Sequence, residues 1–361
     1  MSNADDTRRA IAESLKNVID PATGRDAVAS GFARIAYCEG VAKITYELQP
    51  QAAGQDRQAA LREQTEAVVG SVPGVQRVNV EFRIVERRAT DVIPGVKHVI
   101  AVGAGKGGVG KSTVSVILAV GLQRRGLKVG LLDADVYGPS LPKLTGTEAA
   151  EPEIDEAGRV VPPEFGGIKM ISMGHLVSPD QAVIWRGPMA QKYVKEFLDR
   201  GAWGELDYLL VDLPPGTGDI PLTLAQSIPL TGAVVVCTPQ DVAVLDVLKA
   251  VRMYQKLGVE PLGMVENMSY YVCPHCAARD YPFGQGGAER AAAEIGVPFL
   301  GGIPLNIAIR EFGDAGRPFA HFTDTAPEVV RALEQVVTNL VERVGALRRA
   351  RTPLPQLKVQ S

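Results

Sequence analysis

A glycine-rich run in the first third of the chain has the residue types and the spacing of a phosphate-binding loop. The run matches G-x-x-x-x-G-K-[ST] between an apolar segment at 96–102, which predicts a strand, and a segment at 114–125, which predicts a helix. Glycines let successive backbone N–H groups point inward, and the helix N-terminus adds partial positive charge beneath the phosphates. Nine residues are therefore predicted to bind a nucleotide: Gly105, Lys106, Gly107, Gly108, Val109, Gly110, Lys111, Ser112 and Thr113.

Two side chains of this loop are expected to contact the ligand directly. Lys111 is predicted to reach the β- and γ-phosphates, and the Ser112 hydroxyl is predicted to ligate Mg²⁺. A glycine-rich turn between a strand and a helix can also bind a dinucleotide or nothing. The dinucleotide fingerprint, however, does not require a Gly-Lys-Ser-Thr ending.

Acidic residues follow two further apolar segments. Asp133 and Asp135 come after the expected strand at 128–132, and Asp212 comes after the expected strand at 206–211. Ligands collect at the carboxyl ends of strands in a doubly wound parallel sheet, so these acids are expected to converge on the loop. Carboxylates there hold Mg²⁺ and orient the attacking water for phosphoryl transfer. An isolated aspartate at a strand end is usually a helix cap, but three beside such a loop predict a site, with Asp133 and Asp212 on the metal.

Two cysteines form a C-x-x-C pair at Cys273 and Cys276. Two thiolates can share one metal, but zinc needs four ligands and the chain has no second pair. Thioredoxin-like redox sites also use this spacing, although there the motif opens a helix in a different fold. The economical alternative is a symmetric dimer in which two copies supply four thiolates to a bridging cluster. Cys237 is expected in the core, and Cys38 in a turn or the core.

The elements that must position these residues alternate between strands and helices. Besides the segments above, strands are expected at 233–238, 262–267 and 299–303, with a helix at 241–257. The alternation predicts an α/β fold in which a doubly wound, mostly parallel sheet forms a P-loop NTPase domain. Asn267 is expected just past a strand end, where it either caps a turn or binds a nucleotide base.

Residues 1–85 are predicted to form a separate small α/β domain, followed by a charged linker at 86–95. Helices are expected at 8–18 and 56–69, and strands at 31–37, 41–48 and 75–85. This order resembles the accessory domain found ahead of some iron–sulfur cluster carrier ATPases and in cluster-assembly factors. Many such domains carry a threonine and a Cys-Pro after the hairpin. This chain reads Leu-Gln-Pro-Gln-Ala-Ala at 48–53, so this domain is not expected to ligate a cluster.

The chain from 96 to about 322 resembles the Mrp/ApbC family of iron–sulfur cluster carrier ATPases, in the MinD/ParA-like class that carries a deviant Walker A loop. The lysine at position 106, at the start of the loop, is the mark of that class. The motifs that carry the resemblance are 105–113, 133–140, 185–189, 212–219 and 266–269, the last leading into the C-x-x-C pair.

The resemblance implies a homodimer that binds ATP, holds a labile 4Fe–4S cluster between its subunits on Cys273 and Cys276, and transfers it to apo-proteins. It also implies that Lys106 reaches across the dimer to the nucleotide of the other copy. In the same way, Asp135 would assist hydrolysis and Asn267 would bind adenine. Three residues are expected to be catalytic: Lys106, Lys111 and Asp135.

Composition excludes several classes of protein. The 361 residues carry a net charge of −3, which gives no electrostatic case for binding nucleic acid. No run approaches the roughly 18 apolar residues of a membrane span, and the first residues are polar, so a cytoplasmic protein is expected.

The C-terminal part, 323–361, is predicted to be an amphipathic helix and a tail. Apolar residues recur on one face of the segment 327–351. Such a helix either anchors a MinD-like positioning ATPase on a membrane or packs on the sheet. Because the stripe is continuous and lacks aromatic residues, packing is favoured and no stable membrane association is expected.

A third alternative for the function of the chain is a nucleotide switch whose cysteines bind structural zinc.

Overall fold

The computed structural model describes residues 3–21, 26, 33–38, 40–48, 54–84, 93–175, 187–273, 275–276 and 278–351. The chain divides into two compact units, Met1–Arg87 and Arg88–Ser361. The finer bounds of the expected domains stay a prediction, because much of the expected linker lies outside the described residues.

The first unit is a small α/β fold. Its elements are α1 (Asn3–Ser14), β1 (Ala33–Cys38), β2 (Val41–Leu48), α2 (Gln55–Gly70) and β3 (Arg77–Ile84). The sheet order is β1-β2-β3, with an antiparallel first pair and a parallel second pair. Ile11, Ile44, Tyr46, Leu61 and Val80 are buried in its core. The predicted order of helix, hairpin, helix and strand is confirmed, although α1 begins earlier than expected and the predicted start of the hairpin at 31–32 lies outside the described residues.

The second unit is built around one large sheet. Its strands are β4 (Val96–Ala104), β5 (Val129–Asp133), β6 (Glu153–Ile154), β7 (Val160–Val161), β8 (Glu164–Phe165), β9 (Ile168–Ser172), β10 (Leu206–Asp212), β11 (Gly232–Cys237), β12 (Pro261–Val272), β13 (Arg279–Asp280) and β14 (Phe299–Leu305). Its helices are α3 (Lys111–Gln123), α4 (Leu141–Thr145), α5 (Gly187–Arg200), α6 (Asp219–Ser227), α7 (Asp241–Lys256), α8 (Gly287–Ile295), α9 (Ile307–Asp314), α10 (Ala320–Thr323) and α11 (Pro327–Arg351).

The large sheet has the strand order β13-β12-β11-β4-β10-β5-β9-β8, and β14 also pairs with β12. Strands β6 and β7 form a separate two-stranded sheet. The inner pairs are parallel, whereas β8 and β13 run antiparallel to their neighbours. The predicted α/β class with a mostly parallel sheet is therefore confirmed. Parallel pairing brings the carboxyl ends of β4, β5, β10, β11 and β12 to one edge.

Helices cover both faces of this sheet. Helices α5, α6, α7 and α8 contribute to one buried apolar cluster, and α3 and α11 contribute to the other. Every residue of β5 and β11 is buried, because helices cover both faces of the sheet. Strands buried in this way read as nearly continuous apolar runs in the sequence. The sheet is thus covered by helices on both faces, and Asp133 and Asp212 lie at the ends of its strands.

The C-terminal helix packs on the sheet, as favoured above. Its apolar stripe is buried against β14 and α3, with Leu333, Val336 and Leu340 fully enclosed. Gly121 of α3 allows the close approach, since a Cβ there would lie 2.5 Å from Cγ2 of Val337. Among the described residues, no helix is both long and apolar enough to cross a bilayer.

Two expectations about element ends are corrected, and one about a cysteine is narrowed. Helix α3 begins at Lys111 rather than at 114, so the loop lysine and Ser112 lie in its first turn. Strand β12 continues to Val272, so Asn267 lies inside a strand and not past its end. Pairing with β13 and β14 extends this strand, and such long-range pairing leaves no mark in the local pattern. Of the two alternatives for Cys38, a turn or the core, the core is excluded, because Cys38 is the exposed last residue of β1 beside the turn of the hairpin.

Candidate functional site

The phosphate-binding loop joins the end of β4 to the start of α3. Gly108 and Gly110 have φ angles of 79° and 80°, in the left-handed region that glycine adopts without strain. Gly110 directly precedes the first helical residue, so the free N–H groups of the helix face the loop. Gly105 lies so close to α7 that a Cβ there would fall 2.3 Å from the carbonyl carbon of Asp246. Backbone and helix together provide the cradle expected for phosphate.

Lys111 lies in a buried cluster of acids. Its Nζ is 2.7 Å from Oδ2 of Asp212 and 3.5 Å from Oδ2 of Asp135, and the side chain is only 6% exposed. Burial by itself lowers the pKa of Lys111, but the two carboxylates outweigh it and raise the pKa above the ordinary value. The ammonium is therefore held charged at the mouth of the loop, where phosphate oxygens would compete for it with the carboxylates.

Asp212 is the centre of this cluster. Ser112 Oγ donates to its Oδ2 at 2.6 Å, and Ser115 Oγ donates to its Oδ1 at 2.7 Å. A serine hydroxyl beside a carboxylate is the donor set expected around a nucleotide-bound Mg²⁺, so Ser112 and Asp212 fit that ion. Ser115 was not predicted. Its role becomes visible only once α3 is known to begin at Lys111, because Ser115 then lies one helical turn later on the same face.

Asp133 has a different environment from the one expected. Its side chain is fully buried and accepts three hydrogen bonds, from Ser172 Oγ, Leu141 N and Asp135 N. Burial, followed by the nearby charge of Asp212, raises the pKa of Asp133 to about 7. Because protein donors already occupy both oxygens, this geometry favours a role in shaping the turn after β5. Its assignment as a Mg²⁺ ligand stays a prediction.

Asp135 is the aspartate of this turn that reaches the loop. Its Oδ2 contacts Lys111, and its Oδ1 accepts the N–H of Tyr137 at 3.2 Å. Burial raises the pKa of Asp135 more than the Lys111 charge lowers it. A carboxylate at this position, with raised basicity, is suited to orient a water molecule, which agrees with the expected catalytic role without testing it.

Lys106, in contrast, has a partly exposed side chain. Within the described part of the chain it makes no hydrogen bond or ion pair.

Gly216, in the segment after β10, donates its N–H to the carbonyl of Ala104 at 2.8 Å and so lies against the base of the loop. The segment after β10 thus lies against the base of the loop, and Asp212 at the end of β10 contacts Lys111.

Asn267 approaches the loop from β12. Its Nδ2 donates to the carbonyl of Val109 at 2.9 Å, and the side chain is 7% exposed. The contact also explains why position 110 is a glycine, because a Cβ on Gly110 would lie 2.1 Å from this nitrogen. Neither alternative weighed from the sequence included a hydrogen bond to the loop itself. The adenine contact stays a prediction.

The cysteine pair lies at the tip of a hairpin formed by β12 and β13. The N–H of Cys273 donates to Ala278 O at 2.9 Å, and Cys276 is exposed. The N–H groups of His275 and Cys276 donate to the Cys273 sulfur and lower the pKa of its thiol. Pro274 and Ala277, between and beside these residues, lie outside the described residues. The turn favours thiolate, which is the form that binds iron.

Strand β13 of this hairpin forms an ion pair with the C-terminal helix. Arg279 forms an ion pair with Glu328 at 2.6 Å and stacks over the ring of Tyr270 at 4.5 Å. Cys237 is buried, and burial raises the pKa of its thiol to about 12, which suits the predicted core role. Among the described residues, no group of three or more histidine, cysteine or acidic side chains forms a metal site within one chain.

Comparison with known proteins shows the family to which this chain belongs. The family model described as NUBPL iron-transfer P-loop NTPase matches residues 95–341, which is more than half of the chain. The chain belongs to this iron-transfer P-loop NTPase family. A second model, described as iron–sulfur cluster assembly protein, matches residues 8–82, and it agrees with the accessory domain expected from the sequence.

This iron-transfer NTPase has relatives that cover about two thirds or more of its length. It is 44% identical over 336 residues to the iron–sulfur cluster carrier protein of Deinococcus radiodurans, covering 92% of this chain and 95% of that protein. It is 46% identical over 253 residues to the iron–sulfur cluster transfer protein NUBPL of Dictyostelium discoideum, covering 67% and 78%. The sequence resemblance to iron–sulfur cluster carriers is therefore confirmed.

Solved structures resemble about two thirds of this NTPase. A nucleotide-binding protein from Archaeoglobus fulgidus, in complex with ADP, is 40% identical with a TM-score of 0.58, covering 66% of this chain and 93% of its own. The cell division ATPase MinD of Pyrococcus furiosus is 23% identical with a TM-score of 0.51, covering 68% and 98%. The MinD likeness shows the shared fold alone.

Proposed function

We propose that this protein is an ATP-dependent carrier of iron–sulfur clusters. In this proposal it binds and hydrolyses ATP, holds a 4Fe–4S cluster between two copies of the chain, and passes the cluster to apo-proteins. The observation that carries the proposal is the position of the cysteine pair, Cys273 and Cys276, directly after the strand whose Asn267 contacts the phosphate-binding loop. The names of the carrier relatives support the cargo.

The nucleotide site supports ATP hydrolysis in the following way. Lys111 supplies a fixed positive charge for the phosphates, and the N–H groups of the loop surround them. Mg²⁺ would neutralise developing charge on the phosphates, held through the Ser112 hydroxyl and, by way of water, through Asp212. Asp135 orients the attacking water. Lys106, free of partners among the described residues, reaches the nucleotide of the other copy.

The cysteine site supports a shared cluster. Each chain brings two thiolates, and a four-iron cluster is held by four. A twofold axis between the hairpins would complete the set, because a symmetric dimer repeats the same patch on both copies. A cluster between two exposed hairpins also lies where an acceptor protein can approach, which suits transfer rather than permanent retention.

Anaerobic reconstitution tests this proposal. The full chain is mixed with iron and sulfide, and iron, sulfide and protein are then counted while sedimentation gives the oligomeric state. The proposal expects a charge-transfer absorbance, a Mössbauer spectrum of a four-iron cluster, and one cluster for each dimer. Zinc retained after reconstitution, or a cluster on a monomer, would contradict it. Transfer is followed as activation of an apo-enzyme that needs the same cluster, with and without ATP.

A further inference from the structure

Strand β12 belongs to both sites. Asn267, inside the strand, donates a hydrogen bond to the carbonyl of Val109 in the phosphate-binding loop. Cys273 follows six residues later, directly after the strand ends at Val272. Any movement of the loop that reaches Asn267 therefore acts on the strand that leads directly into the first cysteine.

Between these two points the strand is bulged. Asn267 pairs with Ile303 and Tyr271 pairs with Leu305, so a step of four residues on β12 faces a step of two on β14. Met268, at the start of the bulge, has a φ of 56°. In the part of the chain that the structure describes, it is the one residue other than glycine with a positive φ. A side chain stays in this conformation only where its surroundings hold it there.

Two anchors hold the bulge, and they differ in kind. Glu266, only 1% exposed, accepts from Ser269 Oγ at 2.6 Å and from the N–H of Ala288 at 2.8 Å, which ties one side to the start of α8. The other anchor is the bond from Asn267 to Val109. The first joins the bulge to a packed helix. The second joins it to the loop that binds phosphate.

We propose that Asn267 is a positioning residue that couples the nucleotide site to the cysteine hairpin. Phosphates that draw in the loop N–H groups shift the Val109 carbonyl, and with it one of the two anchors of the bulge. Met268 can then leave its left-handed conformation, and the strand beyond it changes its path to Cys273. A ligand shifts a conformational equilibrium only through such a differential contact. This inference rests on the proposed function and names how that site is regulated.

The test uses the cysteines as reporters, without iron. In the full chain carrying Cys38→Ser, the rate of alkylation of Cys273 and Cys276 by iodoacetamide is measured with and without a non-hydrolysable ATP analogue and Mg²⁺. Cys237 is buried and does not contribute. We expect the nucleotide to change the rate about five-fold or more, which is the lower end of coupling between two sites. Asn267→Ala is expected to abolish this response.

The matched control is Asn339→Ala. Asn339 Nδ2 also donates to a backbone carbonyl at 2.9 Å, that of Leu300 in β14, but does not contact the loop. Its response should equal that of the parent. A fluorescent ATP analogue establishes saturation of each variant. Should Asn267→Ala not bind nucleotide, Met268→Gly carries the test, because glycine removes the strain and should reduce the response while nucleotide still binds.

An unchanged response in both Asn267→Ala and Met268→Gly would overturn the coupling, as would a parent protein that does not respond. These outcomes are separate from the proposed function, because alkylation needs no cluster. A protein that reconstitutes a cluster but shows no response keeps the carrier proposal and loses this one.

Discussion

The ammonium of Lys111 lies 2.7 Å from the carboxylate of Asp212, and the two side chains are 6% and 0% exposed. This pair joins the start of α3, at the end of the phosphate-binding loop, to the end of β10. Two hydroxyls, of Ser112 and Ser115, complete the coordination of the carboxylate. The same lysine is therefore both the expected phosphate ligand and the counter-charge of a buried acid.

The first prediction separates these two roles. Lys111→Met should abolish ATP binding and also destabilise the second unit, since removing one partner of a buried ion pair costs up to about 3–5 kcal/mol. Lys111→Met combined with Asp212→Asn should recover most of the stability but no ATP binding. Thermal unfolding and a fluorescent nucleotide measure the two effects. Wild-type ATPase activity in folded Lys111→Met would refute the placement of the site.

The second prediction concerns Lys106. Because its side chain is partly exposed and has no partner among the described residues, Lys106→Ala should change the free energy of unfolding by no more than about 0.5 kcal/mol. Nucleotide should still bind, while hydrolysis should be lost. Mixing this variant with Asp135→Ala should restore some ATPase activity if the lysine acts across a dimer, because one composite site is then intact. A strictly linear loss on mixing argues against that geometry.

The third prediction concerns the four cysteines. Cys273→Ser or Cys276→Ser should remove ligands from both halves of a shared cluster and leave reconstituted iron low or labile. Cys38→Ser is the matched control, since that residue is exposed at the end of β1. Cys237→Ser should retain the cluster with some loss of stability, because it places a hydroxyl in the core. ATP binding should survive in all four. A full cluster in the double variant of Cys273 and Cys276 would exclude the bridging arrangement.

The fourth prediction follows from a buried histidine. His321 is 1% exposed in α10, and burial lowers its pKa from 6.5 to about 4. Between these values the unfolded chain binds a proton that the folded chain does not. The free energy of unfolding should therefore fall as the pH falls through this window, by up to about 3 kcal/mol from this group.

Substitution of this histidine provides the measurement. His321→Phe removes the titrating group and keeps an aromatic ring facing Phe312, whose centroid lies 6.2 Å from the imidazole. Denaturant unfolding at about pH 7 and about pH 5 should show a smaller loss of stability in the variant than in the parent. An equal loss in both would mean that other groups dominate the acid response.

Much of this protein is determined locally. The glycines, Lys111 and Ser112 lie at fixed spacings in one continuous stretch, so the nucleotide-binding loop can be recognised from neighbouring residues alone. The apolar runs of β4, β5, β10 and β11 predict a covered parallel sheet, and the resulting edge brings Asp135 and Asp212 to the loop. The cysteine pair is likewise visible as a spacing. The sequence by itself thus determined the α/β class and the nucleotide loop, and predicted the candidate cysteine site.

Only the tertiary structure decided how these parts are joined. Ser172 and Ser115 meet the aspartates from separate elements, and Asn267 meets Val109 across 158 positions of sequence. The bulge at Met268 depends on the register between β12 and β14, which no local period encodes. Periodicity and turn chemistry report which face of an element is buried, because they depend on neighbours within a few residues. The contact between two sites depends on strand register and helix packing, which exist only once distant segments have come together.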